Sequence, residues 1–119
     1  MARILLLEDE PLIAMMLVDW IEEMGHETLG PAHGVEAALD LIAQAPPDVA
    51  IIDVNIGLLT SYPVAEELVS RQTPFAFATG DLPGSIDERF AGNSTLSKPY
   101  GFDAFTRTVN QLLQQRPVV

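Results

Sequence analysis

The chain has no cysteine among its 119 residues, which excludes a disulfide framework, thiolate catalysis and a cysteine-ligated metal site. Basic residues are also few: six Lys and Arg stand against 17 Asp and Glu, so the formal net charge is -11 at pH 7. A chain this acidic repels nucleic acid and anionic lipid. We therefore expect no direct binding to nucleic acid or membranes, and we expect partners that are cations or basic protein surfaces.

Long apolar runs are missing as well. No segment is long enough to cross a bilayer, and the acids at positions 8–10 do not fit a signal peptide, so the cytoplasm is the expected compartment. Hydrophobic residues nevertheless make up 48% of the chain, which favours a folded core. The length suits one domain. We expect residues 1–119 to form a single domain with no output domain, and any effector to be a separate molecule.

The stretch Val49–Asp53 is an apolar run rich in β-branched residues that ends on a carboxylate. A run this short, preceded by Pro46-Pro47, predicts a strand buried on both faces of a parallel sheet. Asp53 then lies at the carboxyl end of the strand, where open α/β sheets bind their ligands. Taken alone, Asp53 could equally be a loop acid or a helix cap. The rest of the chain distinguishes these interpretations.

Apolar runs alternate with amphipathic patterns along the whole chain. Strands are predicted at Arg3–Leu7, Glu27–Gly30, Val49–Asp53, Phe75–Thr79 and Thr95–Ser97, and helices at residues 11–24, 35–45, 64–69 and 102–113. A further one- or two-turn helix is predicted near Ser85–Phe90, inside a mobile element at residues 81–93. Residues 57–63 are predicted to be a loop and residues 116–119 a frayed tail. This alternation predicts a parallel sheet with helices on both faces.

Reactive side chains follow four of the five predicted strands: the pair Glu8-Asp9, then Asp53, Thr79 and Lys98. The carboxyl ends of parallel strands share one edge of the sheet, so these residues are expected to converge although they are far apart in sequence. Any one of them has an ordinary structural explanation. Their joint placement is the specific signal.

Three carboxylates at one edge require either protonation or a cation, because two of them about 5 Å apart repel by roughly 3 kcal/mol at an effective dielectric near 20. Oxygen ligands with open water positions suit Mg²⁺. We expect Asp9 and Asp53 to be direct ligands and Glu8 to act through water. Asp53 could then attack phosphorus as a nucleophile and form an acyl phosphate. Lys98 would neutralise charge, and Thr79 would donate its hydroxyl to a phosphoryl oxygen.

This arrangement, including the runs Glu8-Asp9-Glu10-Pro11 and Lys98-Pro99-Tyr100, resembles the receiver domain of bacterial two-component response regulators over the whole chain. The resemblance implies a CheY-like, flavodoxin-like (βα)5 fold with strand order 2-1-3-4-5. It implies that Asp53 is the phosphoacceptor and that the backbone carbonyl of Asn55 completes the magnesium site. It also implies a cis Lys98-Pro99 peptide bond.

A narrower resemblance is to the alphaproteobacterial single-domain regulators known by their FATGUY motif. It rests on three stretches: Pro74–Gly80, Asp53–Gly57 and Ser61–Ala65. The chain departs from these patterns twice. Asp81-Leu82 follows Gly80 where the motif has a variable residue and an aromatic, and Thr95 stands where many receivers have a Tyr or Phe that turns inward on activation.

The resemblance implies that a histidine kinase or phosphotransfer protein phosphorylates Asp53, and that the chain signals by binding a downstream protein. Residues 81–93 and the closing helix are the expected partner surface. The missing aromatic keeps open a phosphorylation-independent interaction domain with the same fold. An aspartyl-phosphate phosphatase would need a general acid near the nucleophile and a substrate cap, but Asn55 lies two residues past Asp53 and no insertion is long enough. His33 is interpreted as a turn residue. We therefore expect no enzyme beyond the chain's own phosphorylation and dephosphorylation.

Overall fold

Five strands form one parallel sheet in the computed structural model, which describes residues 1–80 and 86–116. The strands are β1 (Arg3–Leu7), β2 (Glu27–Ala32), β3 (Val49–Asp53), β4 (Phe75–Thr79) and β5 (Ser94–Ser97). Their order in the sheet is β2-β1-β3-β4-β5. The prediction of a doubly wound α/β fold with this order is confirmed.

Helices cover both faces of the sheet. They are α1 (Pro11–Glu23), α2 (Val35–Gln44), α3 (Tyr62–Ser70) and α4 (Phe102–Gln114). The core cluster on one face includes buried residues of α2 and α3, and the cluster on the other face includes buried residues of α1 and α4. Among the helices in the described ranges, none has both the length and the apolar character needed to cross a bilayer.

The unbroken apolar runs follow from burial on both faces. In β1, Leu5 and Leu7 pack in the cluster beneath α2 and α3, whereas Ile4 and Leu6 pack in the cluster beneath α1 and α4. All four are at most 1% exposed. Because successive side chains point to opposite faces, both faces need apolar residues. Each buried aliphatic side chain contributes about 1.5–3 kcal/mol.

Two local predictions were wrong. The second strand was predicted to end at Gly30, but β2 continues to Ala32, which pairs with Leu7 after a shift in register. Gly30 has a φ of 101°, and this glycine conformation accommodates the irregularity. The predicted loop before the third helix contains a short hairpin of Asn55–Ile56 with Leu59–Thr60, and α3 begins at Tyr62.

The segment between β4 and β5 was predicted to hold a weak fifth helix. Within the described residues it contains a single turn of 3-10 helix, Glu88–Phe90, so the described part of the chain has four α-helices. Residues 86 and 87 of the predicted helix are not helical, whereas Ser85, the motif departure at Asp81-Leu82 and tail residues 117–119 lie outside the described residues. The mobility of residues 81–93 stays a prediction.

Candidate functional site

The register of the sheet brings the carboxyl ends of the inner strands to one edge. Asp53, the last residue of β3, pairs with Ala78, and Thr79, the last residue of β4, pairs with Ser97. Glu8 immediately follows β1, which lies on the other side of β3. The predicted convergence of the strand ends is therefore present.

Lys98 reaches into this edge from the end of β5. Its Nζ lies 3.1 Å from Oδ1 of Asp53 and 3.8 Å from Oε1 of Glu8. The backbone N–H of Lys98 donates to the carbonyl of Thr79 at 2.8 Å, which fixes the start of the turn against β4. The Lys98-Pro99 peptide bond is cis, as the resemblance implied.

Three carboxylates gather around the same point. Glu8, Asp9 and Asp53 each offer an oxygen, and these oxygens lie within 4.8 Å of one another. Glu8 is 1% exposed and Asp53 is 4% exposed, whereas Asp9 is open to solvent. Oδ2 of Asp9 accepts the backbone N–H of Gly57 at 3.0 Å, which ties the acid pair to the hairpin after β3. The carboxylate predicted to act through water, Glu8, is thus the most deeply buried.

The charges in this cluster shift each other's protonation. Burial, followed by the neighbouring carboxyl of Glu8, raises the pKa of Asp53 from an ordinary 3.8 to about 8, although Lys98 acts in the opposite direction. Burial lowers the pKa of Lys98, but the negative charges of Asp53 and Glu8 outweigh it, so the net shift is upward. The lysine therefore stays charged, and a further cation would favour the ionised form of Asp53.

The donor set fits a hard divalent cation. All three candidate ligands are carboxylates, and Oε1 of Glu8 is buried without a hydrogen-bond donor, with the Lys98 ammonium at 3.8 Å. Asn55, the predicted carbonyl ligand, lies in the hairpin two residues beyond Asp53. Hard oxygen donors with space for water suit Mg²⁺ rather than a softer metal.

One contact near the site was not predicted from the sequence. His33 lies in the bend after β2, in agreement with its interpretation as a turn residue, and its Nδ1 lies 2.8 Å from the carbonyl oxygen of Glu8, so the ring donates a hydrogen bond there. The N–H of Glu8 donates to the carbonyl of Ala32 at 3.0 Å. The end of β2 thus holds the backbone of the acid pair. No sequence pattern signals this contact, because it depends on β2 pairing with β1.

We predict that His33→Ala weakens Mg²⁺ binding by roughly 3- to 10-fold, since removing a group that orients metal ligands usually lowers metal affinity. His33→Asn should restore binding to near the wild-type value, because the asparagine amide also offers an N–H donor. Calorimetric titration with Mg²⁺ measures both. The control is His26→Ala, which alters an acceptor of the Ala2 N–H instead. Unchanged affinity in His33→Ala would show that the hydrogen bond does not position the acids.

Aromatic residues near the site differ from the usual receiver pattern. Thr95 is exposed on β5, so the described part of that strand presents no aromatic side chain. Tyr100, beyond the cis bond, stacks on Phe105 at 6.3 Å and packs edge-on against Trp20 at 6.4 Å. Its hydroxyl is buried without a hydrogen-bond partner, and burial followed by the charges of Asp53 and Glu8 raises its pKa.

Comparison with known proteins assigns the chain to a class. No family model matches it. It is 34% identical over 88 residues to the transcriptional regulatory protein PdtaR of Mycobacterium tuberculosis, covering 73% of this chain and 43% of PdtaR. It is 26% identical over 117 residues to the polar-differentiation response regulator DivK of Brucella anthropi, covering 92% of this chain and 94% of DivK. The chain thus spans less than half of PdtaR. It belongs to the response regulator receiver family of two-component systems.

Solved structures that are similar over nearly the whole chain include SdrG. SdrG from Sphingomonas melonis Fr1 is 42% identical, with a TM-score of 0.82 over 95% of this chain and 97% of SdrG. The BeF3-activated conformation of SdrG matches at a TM-score of 0.81 with the same identity, over 93% of this chain and 95% of SdrG. The chain is therefore similar to a receiver that has been solved in two states. Membership of the FATGUY subgroup stays a prediction.

Proposed function

We propose that residues 1–119 act as a stand-alone receiver in the cytoplasm. A histidine kinase or phosphotransfer protein phosphorylates Asp53 in a Mg²⁺-dependent reaction, and the phosphorylated chain signals by binding a downstream protein. The observation that carries this proposal is the buried carboxyl of Asp53, with the Lys98 ammonium 3.1 Å away and two further acids beside it.

In the proposed reaction, a carboxylate oxygen of Asp53 forms a bond to the donor's phosphorus, and the donor's bond to that phosphorus breaks with its electron pair leaving on the donor. Asp53 must be ionised to do this, although burial raises its pKa. Mg²⁺, held by Asp9 and Asp53 with Glu8 and the Asn55 carbonyl alongside, would favour the ionised carboxylate and offset its repulsion of the phosphoryl oxygens.

Thr79 and Lys98 are proposed to bind the phosphoryl oxygens once the bond has formed. Hydrogen bonds that involve a charged group contribute about 1.5–3 kcal/mol each, so two supply about 3–6 kcal/mol. Moving a two-state equilibrium from mostly off to mostly on requires about 5.5 kcal/mol. Because the free energy supplied is only about equal to the free energy required, we expect phosphorylation to move a weakly held segment rather than to rearrange the core.

The surface around the site suits a donor protein. Leu12 and Met15 of α1 are 81% and 65% exposed, and Leu58 and Leu59 at the hairpin tip are also largely exposed. Exposed apolar side chains grouped around a polar site are typical of protein-binding surfaces. At the Lys98 end of the site lies a groove of about 370 Å³, which is lined by Ile13, Met16, Lys98, Pro99 and Tyr100. We propose that the donor docks here.

A second candidate function is a phosphorylation-independent interaction domain, which the exposed Thr95 on β5 favours because the usual aromatic switch is missing there. We do not propose a turnover phosphatase. Asn55, two residues past Asp53, has no titratable group that could act as a general acid, and His33 donates to a backbone carbonyl.

Incubation with Mg²⁺ and acetyl phosphate tests the main proposal. Intact-mass spectrometry should show the gain of one phosphoryl group in the wild type and none in Asp53→Asn, because an amide oxygen is not a competent nucleophile here. Asp40→Asn, at an exposed position on α2, is the matched control and should gain the group normally. Absence of any gain, with acetyl phosphate or candidate kinases, would favour the interaction-domain alternative.

A further inference from the structure

The segment of residues 86–90, which precedes β5, packs against the start of α3 through aromatic rings. Phe90 is 7% exposed and stacks on Tyr62 with 5.5 Å between ring centroids. Phe77 of β4 packs edge-on against both rings, at 6.0 Å from Tyr62 and 5.5 Å from Phe90. Aromatic pairs in these geometries stabilise a contact beyond the area they bury.

Polar contacts hold the same segment from outside. The backbone N–H of Asp87 donates to the Tyr62 hydroxyl at 2.9 Å. Arg89 forms ion pairs with Glu66 of α3 and, at 3.2 Å, with Asp87. Its guanidinium also lies over two rings, 5.1 Å from the centroid of Phe90 and 5.9 Å from that of Tyr62. The side chain of Arg89 therefore connects the 3-10 turn to α3 through an ion pair and through contacts with the aromatic rings.

This assembly is connected to the site through β4. Phe77 and Thr79 are two residues apart in one strand, so their side chains leave the same face of the sheet. A displacement of Thr79 toward a phosphoryl group on Asp53 would therefore act on the strand that carries Phe77 against Tyr62 and Phe90. The residues of β5 include no aromatic side chain that could transmit such a displacement.

We propose that Tyr62 and Arg89 form a latch that holds residues 86–90 against α3 in the unphosphorylated protein, and that phosphorylation releases it. This inference rests on the proposed function and deepens it by naming the regulated element. The aromatic residue of the switch then lies at the start of α3 rather than on β5. Release of the latch uncovers the ring of Phe90 for the downstream partner.

A latch that opposes the phosphorylated conformation has a reciprocal consequence. Because linkage between two sites is symmetric in binding free energy, a variant that weakens the latch must bind a phosphoryl analogue more tightly. A residue that only stabilises the fold would not have this effect. Replacing such a residue would lower the free energy of unfolding and leave the affinity for the phosphoryl analogue unchanged or weaker.

The experiment measures binding of beryllofluoride with Mg²⁺ to full-length wild type, Arg89→Gln and Tyr62→Phe. The first variant removes the charge, and the second removes the acceptor of the Asp87 N–H while keeping the ring. We expect about 3- to 10-fold tighter binding in each, because Arg89→Gln loses an exposed ion pair and cation–π contacts and Tyr62→Phe loses one hydrogen bond. Arg71→Gln is the matched control, because Arg71 pairs with Glu67 on α3 without touching the segment.

Amide hydrogen exchange without beryllofluoride provides a second measurement that needs no phosphorylation chemistry. Residues 86–93 should exchange faster in both latch variants than in the wild type or in Arg71→Gln, with sheet amides unchanged. Beryllofluoride should speed exchange of the same residues in the wild type. If the wild type binds beryllofluoride but the latch variants bind no more tightly, the latch alone is disproved. If the wild type and Arg71→Gln both fail to bind it, the proposed function fails and the inference with it.

Discussion

Asp53→Asn is expected to make the metal-free protein more stable at pH 7, although the carboxyl of Asp53 lies 3.1 Å from the Lys98 ammonium. The carboxyl of Asp53 is 4% exposed and lies beside Glu8, and these surroundings raise its pKa to about 8. At pH 7 the unfolded chain ionises this carboxyl freely, whereas the folded chain retains its proton. Folding of the wild type therefore costs the free energy of keeping this carboxyl protonated, and the asparagine variant does not carry that cost. We expect a higher Tm in Asp53→Asn than in the wild type, by several degrees for a domain of this size.

The difference in stability between the wild type and Asp53→Asn should depend on pH. A carboxyl whose pKa is raised on folding costs no stability below its unfolded pKa, where both states are protonated. The cost grows as pH rises from about 4 toward 8, so wild-type stability should fall over that interval more steeply than that of Asp53→Asn. Calorimetric scans in a chelator at several pH values measure the difference, which should shrink near pH 4.

Two controls keep this prediction specific. Asp40→Asn, at an exposed position, should change stability by no more than about 0.5 kcal/mol. Added Mg²⁺ should stabilise the wild type more than Asp53→Asn, because a ligand that binds only the folded state stabilises it by mass action. A lower Tm in Asp53→Asn at pH 7 without metal would mean that the ion pair with Lys98 outweighs the burial of the acid.

Phe77→Ala is expected to cost about 3–5 kcal/mol, because the change leaves a large cavity in the core. Phe77 is fully buried, and its ring packs edge-on against Tyr62, Phe75 and Phe90. Denaturant unfolding measures the loss. The variant should also speed amide exchange of residues 86–93, since Phe90 loses one of its ring partners.

Phe102→Ala is the matched control for that variant. Phe102 is 36% exposed and contacts the ring of Trp20 on the other face of the sheet. We expect a smaller loss than in Phe77→Ala, because Phe102 is already partly exposed and its truncation leaves no enclosed cavity. Equal losses in the two variants would mean that the cluster around Phe77 does not hold the segment after β4.

The positions of the strands and the reactive residues at their ends could be predicted because both depend on local pattern. An apolar run such as Val49–Asp53 has no polar face, so it must lie in the middle of a covered sheet. Parallel strands then place Asp53 and Lys98 at the same edge without any knowledge of the loops. The hairpin at Asn55–Thr60 was missed because its strands are two residues long and have no detectable periodicity.

Local patterns were enough to predict the sheet and the residue types at its edge, and the family resemblance supplied the strand order. The deep burial of Glu8 and the hydrogen bond from His33 to its backbone became visible only in the folded structure. The same holds for the contacts of Asp87 and Arg89 with α3. The difference arises because the alternation of buried and exposed positions along an element depends on residues that are neighbours in the sequence. The contacts of a side chain with a residue 23 or 25 positions away depend on how packed elements face each other.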